Sequence, residues 1–197
     1  MRLIGRLTGA TMCFFIAEGY HYTRSKRKYG TRLGVFALIS QIPYTIFHRS
    51  TLLTLRFFTD WNVIFTFFFG FLVLLTYENI DNKYLKWVLI CLLCAVTIIS
   101  DWSLIAPVWI LCFYIFRDNK KRNFIVFGIL VCVETASCIP FMISHGETWQ
   151  LGVFLVIPLL LLYNGEKGGG NPVHKWAFYL FYPLHLLILG LINLLLI

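Results

Sequence analysis

Long apolar runs recur along this chain, separated by short polar segments. A run of about 20 apolar residues crosses roughly 30 Å of hydrocarbon as an α-helix. Eight runs approach that length, at residues 3–22, 33–48, 56–77, 85–100, 102–116, 123–143, 150–163 and 176–196. Several are short, and the two that meet at Asp101 fit one broken or re-entrant element. The pattern predicts an all-α fold, a polytopic transmembrane bundle with seven or eight spans.

The composition of the chain supports a membrane protein. Of its 197 residues, 59% are hydrophobic and 13% are charged, whereas soluble domains carry about 25% charged residues. A water-soluble globular domain is therefore excluded. Because no internal repeat and no long linker interrupts the runs, we expect residues 1–197 to form a single domain.

The basic residues predict an orientation. The net charge is +8, and in a soluble protein such a balance suggests nucleic acid. If the loops alternate between two sides, one side receives 13 of the 17 Lys and Arg residues and the other receives 4. The positive-inside rule places the richer side in the cytoplasm. This rule explains most of the charge without a nucleic-acid partner, and we expect membrane lipids to surround the chain.

The cysteines and glycines suggest little chemistry. All six cysteines lie within apolar runs, and the one CxxC pair, Cys91 and Cys94, has no second ligand pair beside it. We therefore expect neither a disulfide framework nor a metal site. The glycine-rich segment at 165–170 is read first as a flexible loop, and its backbone N–H groups and Lys167 are a weak signal for phosphate binding.

Charged residues inside the apolar runs are the main candidates for function, because each costs about 2.5–3.5 kcal/mol at membrane depth. Glu18, His21 and Arg24 follow at intervals of three and share one helix face. They either neutralise one another or form a site for binding or proton transfer. His185 lies about 14 Å into the last run, where it is either a satisfied core residue or a general base.

The other buried polar residues allow two readings each. Asp101 is either a solvated turn residue or part of the site, and Glu134 is as readily structural as functional. Arg6 either extends to the interface or lies in a buried polar cavity.

Several segments of the chain resemble the TraX family of membrane proteins. Residues 2–44 (RLIGRLTGATMCFFIAEGYHYTRSKRKYGTRLGVFALISQIPY) resemble its RxxGRL, AEGxxxTR, YxxRL and FALISxxP elements in order. WNVIFTFFFG at 61–70 is similar to its LNVFFTLxxG element, and SDWS to FYIFRDNKK at 100–121 resembles its third motif. YNGEKGGG to HKWAFYLFYPLHLLIL at 163–189 resembles its last motif. The resemblance covers nearly the whole chain.

This resemblance implies an integral-membrane acyltransferase of the kind that acetylates the N-terminus of a conjugative pilin, with acetyl-CoA or another acyl-CoA as donor. It implies a bacterial cytoplasmic membrane location and an extracytoplasmic peptide or glycan acceptor. The expected catalytic residues are His185, Glu18, His21 and Asp101. The expected cofactor-binding residues are Arg24, Arg27, Lys28, Arg32 and Lys175. The expected acceptor-binding residues are Arg6, Asn62 and Tyr182.

Two departures from the family pattern accompany the resemblance. Members usually carry an additional N-terminal helix with an Asp-His pair before the RxxGRL element, and this chain is expected to lack it. Tyr22 stands where the family often has His, with His21 one place earlier. The alternatives are a non-catalytic membrane scaffold and a small transporter that passes protons along Glu18, Asp101, Glu134 and His185.

Overall fold

The fold is helical throughout the part of the chain that the structure describes. The computed structural model describes residues 2–49, 59–146, 148–164 and 172–195. Its α-helices are α1 (Arg2–Tyr22), α2 (Lys26–Arg49), α3 (Val63–Asn79), α4 (Lys83–Val96), α5 (Ile105–Ile115), α6 (Lys120–His145), α7 (Val156–Leu161) and α8 (Pro172–Leu195). Short 3₁₀ helices cover Thr97–Ile99 and Trp149–Leu155. No strand occurs in these ranges, so the predicted all-α class is confirmed.

Local sequence signals set the helix ends. The side chains of Asn62, Asn82 and Asn119 cap α3, α4 and α6 by accepting backbone N–H groups of the first turn. Such caps satisfy donors that have no partner within the helix. At its other end α6 stops at Gly146, whose φ of 64° lies in the left-handed region. Glycine adopts this conformation without steric cost.

The core lies where α1 packs against α3 and α5. Tyr20 of α1 makes edge-to-face ring contacts with Phe71 of α3 and Tyr114 of α5, with centroids 5.4 Å apart in both pairs. Phe14 meets Phe113 of α5 in the same way, at 5.3 Å. Aromatic pairs of this geometry contribute beyond their buried area. The aromatic residues of the apolar runs therefore hold the centre of the bundle together.

Helices α2 and α8 pack side by side and run in the same direction. Near their starts, the ring of Phe36 stacks on that of Tyr179, with centroids 5.0 Å apart. Further along, Gly190 lies against Ile46 and the backbone of Phe47. The contact advances along both helices together, which fixes their parallel orientation.

The expected number of membrane-crossing helices is not found. Within the described residues, one helix, Lys120–His145, is long and apolar enough to cross a membrane. Other apolar helices are shorter, such as Val63–Asn79 with 17 residues and Ile105–Ile115 with 11. At 1.5 Å per residue these extend about 26 and 17 Å. The sequence pattern counted apolar runs, and caps, turns and 3₁₀ segments divide several of those runs into shorter helices.

Candidate functional site

The buried carboxylate of Glu18 pairs with an arginine distant in sequence. Arg117, in the turn between α5 and α6, donates from Nε to Glu18 Oε1 at 2.8 Å and from Nη2 to the Tyr22 hydroxyl at 3.0 Å. The Tyr163 hydroxyl donates to Glu18 Oε2 at 3.2 Å. The expected neutralisation by His21 or Arg24 is therefore wrong. Both of those side chains are exposed, because they lie past the last buried turn of α1.

A second ion pair lies at the same end of the bundle. Lys26 at the start of α2 and Tyr20 both donate to Glu78 in the last turn of α3. Glu18, Lys26, Glu78 and Arg117 therefore gather at one end of the bundle.

The Glu78 pair predicts a dependence of stability on pH. Hydrogen bonds from Lys26 and then from Tyr20 hold the pKa of Glu78 below its usual value. The pair therefore stabilises the fold fully above the unfolded pKa of about 4.3, and this contribution is lost as the pH falls through the folded pKa. We expect the melting temperature of the wild type to fall more steeply below about pH 4.3 than that of Glu78→Gln.

Thermal unfolding between about pH 7 and pH 3 measures this difference. Asp81→Asn is the matched control, since Asp81 is exposed in the loop that follows. If Glu78→Gln and Asp81→Asn change the pH dependence of the melting temperature equally, the ion pair between Glu78 and Lys26 makes no specific contribution to stability.

An open groove of about 660 Å³ lies along α2, with Trp176 of α8 at its edge. Its basic end is formed by Arg27, Lys28 and Arg32, three of the residues expected to bind the cofactor. Arg27 and Lys28 are exposed, and Nε of Arg32 is buried without a hydrogen-bond partner in the described ranges. Beyond them the walls are apolar, with Val35, Phe36, Ile39 and Trp176. Such a groove suits a ligand with anionic phosphates at one end.

Two of the expected cofactor residues, Arg24 and Lys175, are not seen in the lining of this groove within the described side chains. Arg24 is exposed just before α2 and is not among the groove's lining residues. Lys175 belongs to the first turn of α8, and its side chain lies outside the described part of the structure. The glycine-rich segment at 165–170 also lies outside it.

His185 lies on α8, and one of its ring nitrogens is hydrogen-bonded to the helix backbone. Its Nδ1 is 3.0 Å from the carbonyl oxygen of Phe181, and its ring packs on those of Phe181 and Tyr182. A carbonyl only accepts, so Nδ1 carries the proton in the neutral imidazole and Nε2 keeps a lone pair. That is the tautomer a general base requires. The assignment of His185 as a base stays a prediction.

At the opposite end of α1, Arg6 lies between two indole rings. Its guanidinium carbon is 5.0 Å from the ring centroid of Trp102 and 4.5 Å from that of Trp149, which are cation–π distances. The charges of Glu134 and Asp101 act on it as well. Arg6 is thus held inside the bundle, about 18 Å along α1 from Glu18.

Two other expected site residues have different surroundings. Asn62 is fully buried, and its amide donates to the Ala37 carbonyl and to Gln41 Oε1, both at 2.8 Å. Its Oδ1 accepts the Ile64 N–H, so its polar atoms already serve the cap of α3. The ring of Tyr182 contacts that of His185 edge-to-face, with centroids 5.5 Å apart.

The structure groups the expected residues in separate places. Arg27, Lys28 and Arg32 line the groove, and Glu18 belongs to the Arg117 network. Tyr182 contacts His185 on α8, and Arg6 lies against Trp102, the residue after Asp101. Sequence reasoning missed Arg117, Tyr163, Trp102 and Trp149. Arg117 follows an apolar run and was counted among the loop charges, and a single Tyr or Trp in an aromatic-rich chain carries no local signal.

Over the described residues, the fold and its polar groups define a helical bundle with a basic groove at one end and a partly buried arginine against two tryptophans at the other. The TraX protein family model matches residues 1–193, and the chain belongs to this family. The chain is 30% identical over 203 residues to the probable fimbrial assembly protein FimC, serogroup H1, of Dichelobacter nodosus, covering 96% of this chain and 81% of the relative. No solved structure matches the chain.

Proposed function

We propose that this chain is an acyltransferase embedded in the bacterial cytoplasmic membrane, which moves an acyl group from acyl-CoA to an amine or hydroxyl. The observation that carries the proposal is the groove along α2, whose basic end holds Arg27, Lys28 and Arg32 and whose apolar walls continue to Ile39. Ile39 lies about one turn beyond Phe36, and His185 lies nearly two turns beyond Tyr179, the ring on which Phe36 stacks. When Arg27, Lys28 and Arg32 bind the phosphates of acyl-CoA, the thioester at the other end of the ligand can extend along α2 to the height of His185 in the bundle.

The groups of the site suit acyl transfer. Nε2 of His185 accepts the proton of the acceptor amine or hydroxyl as that group attacks the thioester carbonyl carbon. The new C–N or C–O bond forms as the C–S bond breaks, and the proton passes from His185 to the CoA sulfur. The unpartnered Nε of Arg32 is a donor that fits a phosphate oxygen.

The surroundings of the bundle support a membrane location. In α6, 17% of the most apolar stretch is buried within the protein, so most of that stretch is available to lipid. We propose that the other helices pack beside α6 in the bilayer, with the groove's basic end in the cytoplasm. The family and the fimbrial assembly relative favour a role in pilus or fimbria assembly, with an extracytoplasmic peptide or glycan as acceptor.

Calorimetric titration of acetyl-CoA into the purified protein in detergent tests the donor site. We expect Arg27→Ala/Lys28→Ala to weaken binding about tenfold or more, since two charge-assisted contacts are removed. Lys120→Ala/Lys121→Ala is the matched control, because it removes the same charge from exposed residues outside the groove.

If both double variants lose the same acetyl-CoA affinity, the loss reflects only the overall charge of the protein. That result contradicts a specific donor site at Arg27 and Lys28. Absence of binding by folded wild type contradicts the acyl-CoA donor altogether and favours the non-catalytic scaffold.

A further inference from the structure

We propose that Trp176, on α8, is the surface on which the adenine ring of the acyl donor stacks. The groove along α2 then recognises the donor by its nucleotide end, and Trp176 is a specificity-determining residue. This inference rests on the proposed donor site and names the part of the donor that the groove holds. It predicts that acyl-CoA binds more tightly than an acyl group carried on phosphopantetheine without the nucleotide.

Trp176 brings an exposed aromatic ring to the groove that holds the basic residues. The groove is lined by Trp176 together with Arg27, Lys28 and Arg32. Of the two aromatic residues described in its lining, Phe36 is 7% exposed and Trp176 is 45% exposed. The indole of Trp176 therefore has surface left to contact a ligand, whereas the ring of Phe36 is buried.

Neighbouring rings support the indole of Trp176. Its centroid lies 6.2 Å from that of Phe36 and 6.3 Å from that of Tyr179. Those two rings stack on each other with centroids 5.0 Å apart. A side chain that is already held by packing loses little conformational freedom when a ligand binds. The indole is therefore preorganised as a stacking surface.

Tyr179 also connects this aromatic surface to a cation. The guanidinium carbon of Arg32 lies 6.0 Å from the ring centroid of Tyr179 and 5.8 Å from that of Tyr29, within the cation–π range. Nε of Arg32 is buried and has no hydrogen-bond partner within the described residues. Because one tyrosine contacts both side chains, an aromatic ring and a charged donor lie close together in this groove.

This pairing of a ring and cations suits a nucleotide. An adenine base stacks on an aromatic side chain, and its phosphates accept charge-assisted hydrogen bonds from arginine and lysine. The adenosine of CoA carries phosphate on both its 3′ and 5′ oxygens, so one ligand satisfies both kinds of group. A phospholipid headgroup matches the cations but offers no aromatic ring to Trp176. The combination therefore favours a nucleotide over a lipid.

Calorimetric titration of the purified protein in detergent tests this inference. The probes are adenosine 3′,5′-bisphosphate, a fragment of CoA that keeps the base, and inorganic pyrophosphate, which has charge without a base. We expect Trp176→Ala to weaken binding of the bisphosphate about tenfold or more, because the stacking contact is lost. Pyrophosphate affinity should not change. Trp176→Phe keeps an aromatic ring and should retain most of the affinity for the bisphosphate.

Trp87 on α4 supplies the matched control. It is 44% exposed and has an aromatic neighbour of its own, Tyr77, with centroids 6.5 Å apart, but it does not line the groove. Trp87→Ala removes the same side chain and should leave the affinity for the bisphosphate unchanged. If Trp176→Ala does not fold, Trp176→Leu replaces it, since leucine fills much of the position without an aromatic ring.

Tryptophan fluorescence separates a direct contact from a structural role. Adenine stacked on an indole quenches its emission, so the bisphosphate should quench the wild type. Trp176→Phe, which still binds the bisphosphate, should lose this quenching. If the two proteins are quenched equally, or if neither is quenched, Trp176 does not contact the base.

Two further outcomes overturn the inference. One is that Trp176→Ala weakens bisphosphate binding no more than Trp87→Ala does. The other is that Trp176→Ala weakens pyrophosphate binding equally, which shows that the groove has changed shape.

Acetyl-CoA affinity, measured on the same preparations, keeps the inference apart from the proposed function. If Arg27→Ala/Lys28→Ala weakens acetyl-CoA binding and Trp176→Ala does not, adenine stacking fails and the donor site stands. If the bisphosphate binds through Trp176 but acetyl-CoA does not bind, the proposed acyl transfer fails and the nucleotide site stands.

Discussion

Replacing His185 by glutamine is expected to lower the rate of acyl transfer by about 100- to 10,000-fold, the range that general-base catalysis contributes. Glutamine retains an N–H group for the Phe181 carbonyl but offers no basic nitrogen in place of Nε2. Because the groove residues that we propose as the donor site are unchanged, the affinity for acetyl-CoA should stay near that of the wild type. Transfer from labelled acetyl-CoA in membrane vesicles, together with calorimetric binding, measures the two quantities.

The chain contains a close local copy of the His185 environment to serve as the control. Nδ1 of His145 is 3.2 Å from the carbonyl oxygen of Phe141, four residues earlier, and its ring stacks on that of Phe141. His145→Gln therefore makes the same change in a similar helical setting at the exposed end of α6. We expect no loss of transfer. Retained transfer in His185→Gln, or an equal loss in both variants, removes His185 from the mechanism.

Replacing Arg117 by methionine is expected to destabilise the fold by about 2–3 kcal/mol, somewhat below the range for fully buried pairs. The reason is the carboxylate that remains. Side-chain exposure is 23% for Arg117 and 10% for Glu18. Removal of the guanidinium therefore leaves a buried charge that still accepts from the Tyr163 hydroxyl but has lost its ionic partner. Thermal unfolding in detergent measures the change.

A double-mutant cycle separates the pair from other effects. Glu18→Gln/Arg117→Met leaves no uncompensated charge and should recover much of the lost stability. Arg122→Met is the control, because Arg122 is exposed at the start of α6, and its replacement should change stability by less than about 0.5 kcal/mol. If Arg117→Met is as mild as Arg122→Met, the network with Glu18 does not hold these segments together.

The helices were predictable from sequence because apolar periodicity and capping are local properties. The runs at 3–22, 123–143 and 176–196 correspond to α1, α6 and α8, and the ends agree within a few residues where the structure describes them. Where a turn or a 3₁₀ helix interrupts an apolar run, the sequence pattern predicts one long helix but the structure contains shorter elements. The run at 150–163, for example, is a 3₁₀ helix followed by the short α7.

The sequence indicates which buried polar residues are candidates for function, but it does not indicate which residues they pair with. Charge inside an apolar run singled out Glu18, Glu134 and His185, since such charge is costly. Pairing depends on tertiary contact, however, and Arg117 lies 99 residues after Glu18. Helical spacing offered only the nearby His21 and Arg24. Likewise, two tryptophans brought together by separate turns surround Arg6, which no local pattern indicates.

The close contact at Gly190 has a consequence for the groove. A Cβ atom at this position would lie 3.2 Å from the backbone nitrogen of Phe47, so a larger residue forces α8 away from α2. Nearer the basic residues the two helices meet instead through aromatic side chains, those of Phe36 and Tyr179. Gly190 therefore sets how closely the backbone of α8 can approach that of α2, and a methyl group at this position would disturb the helix pair that carries the groove.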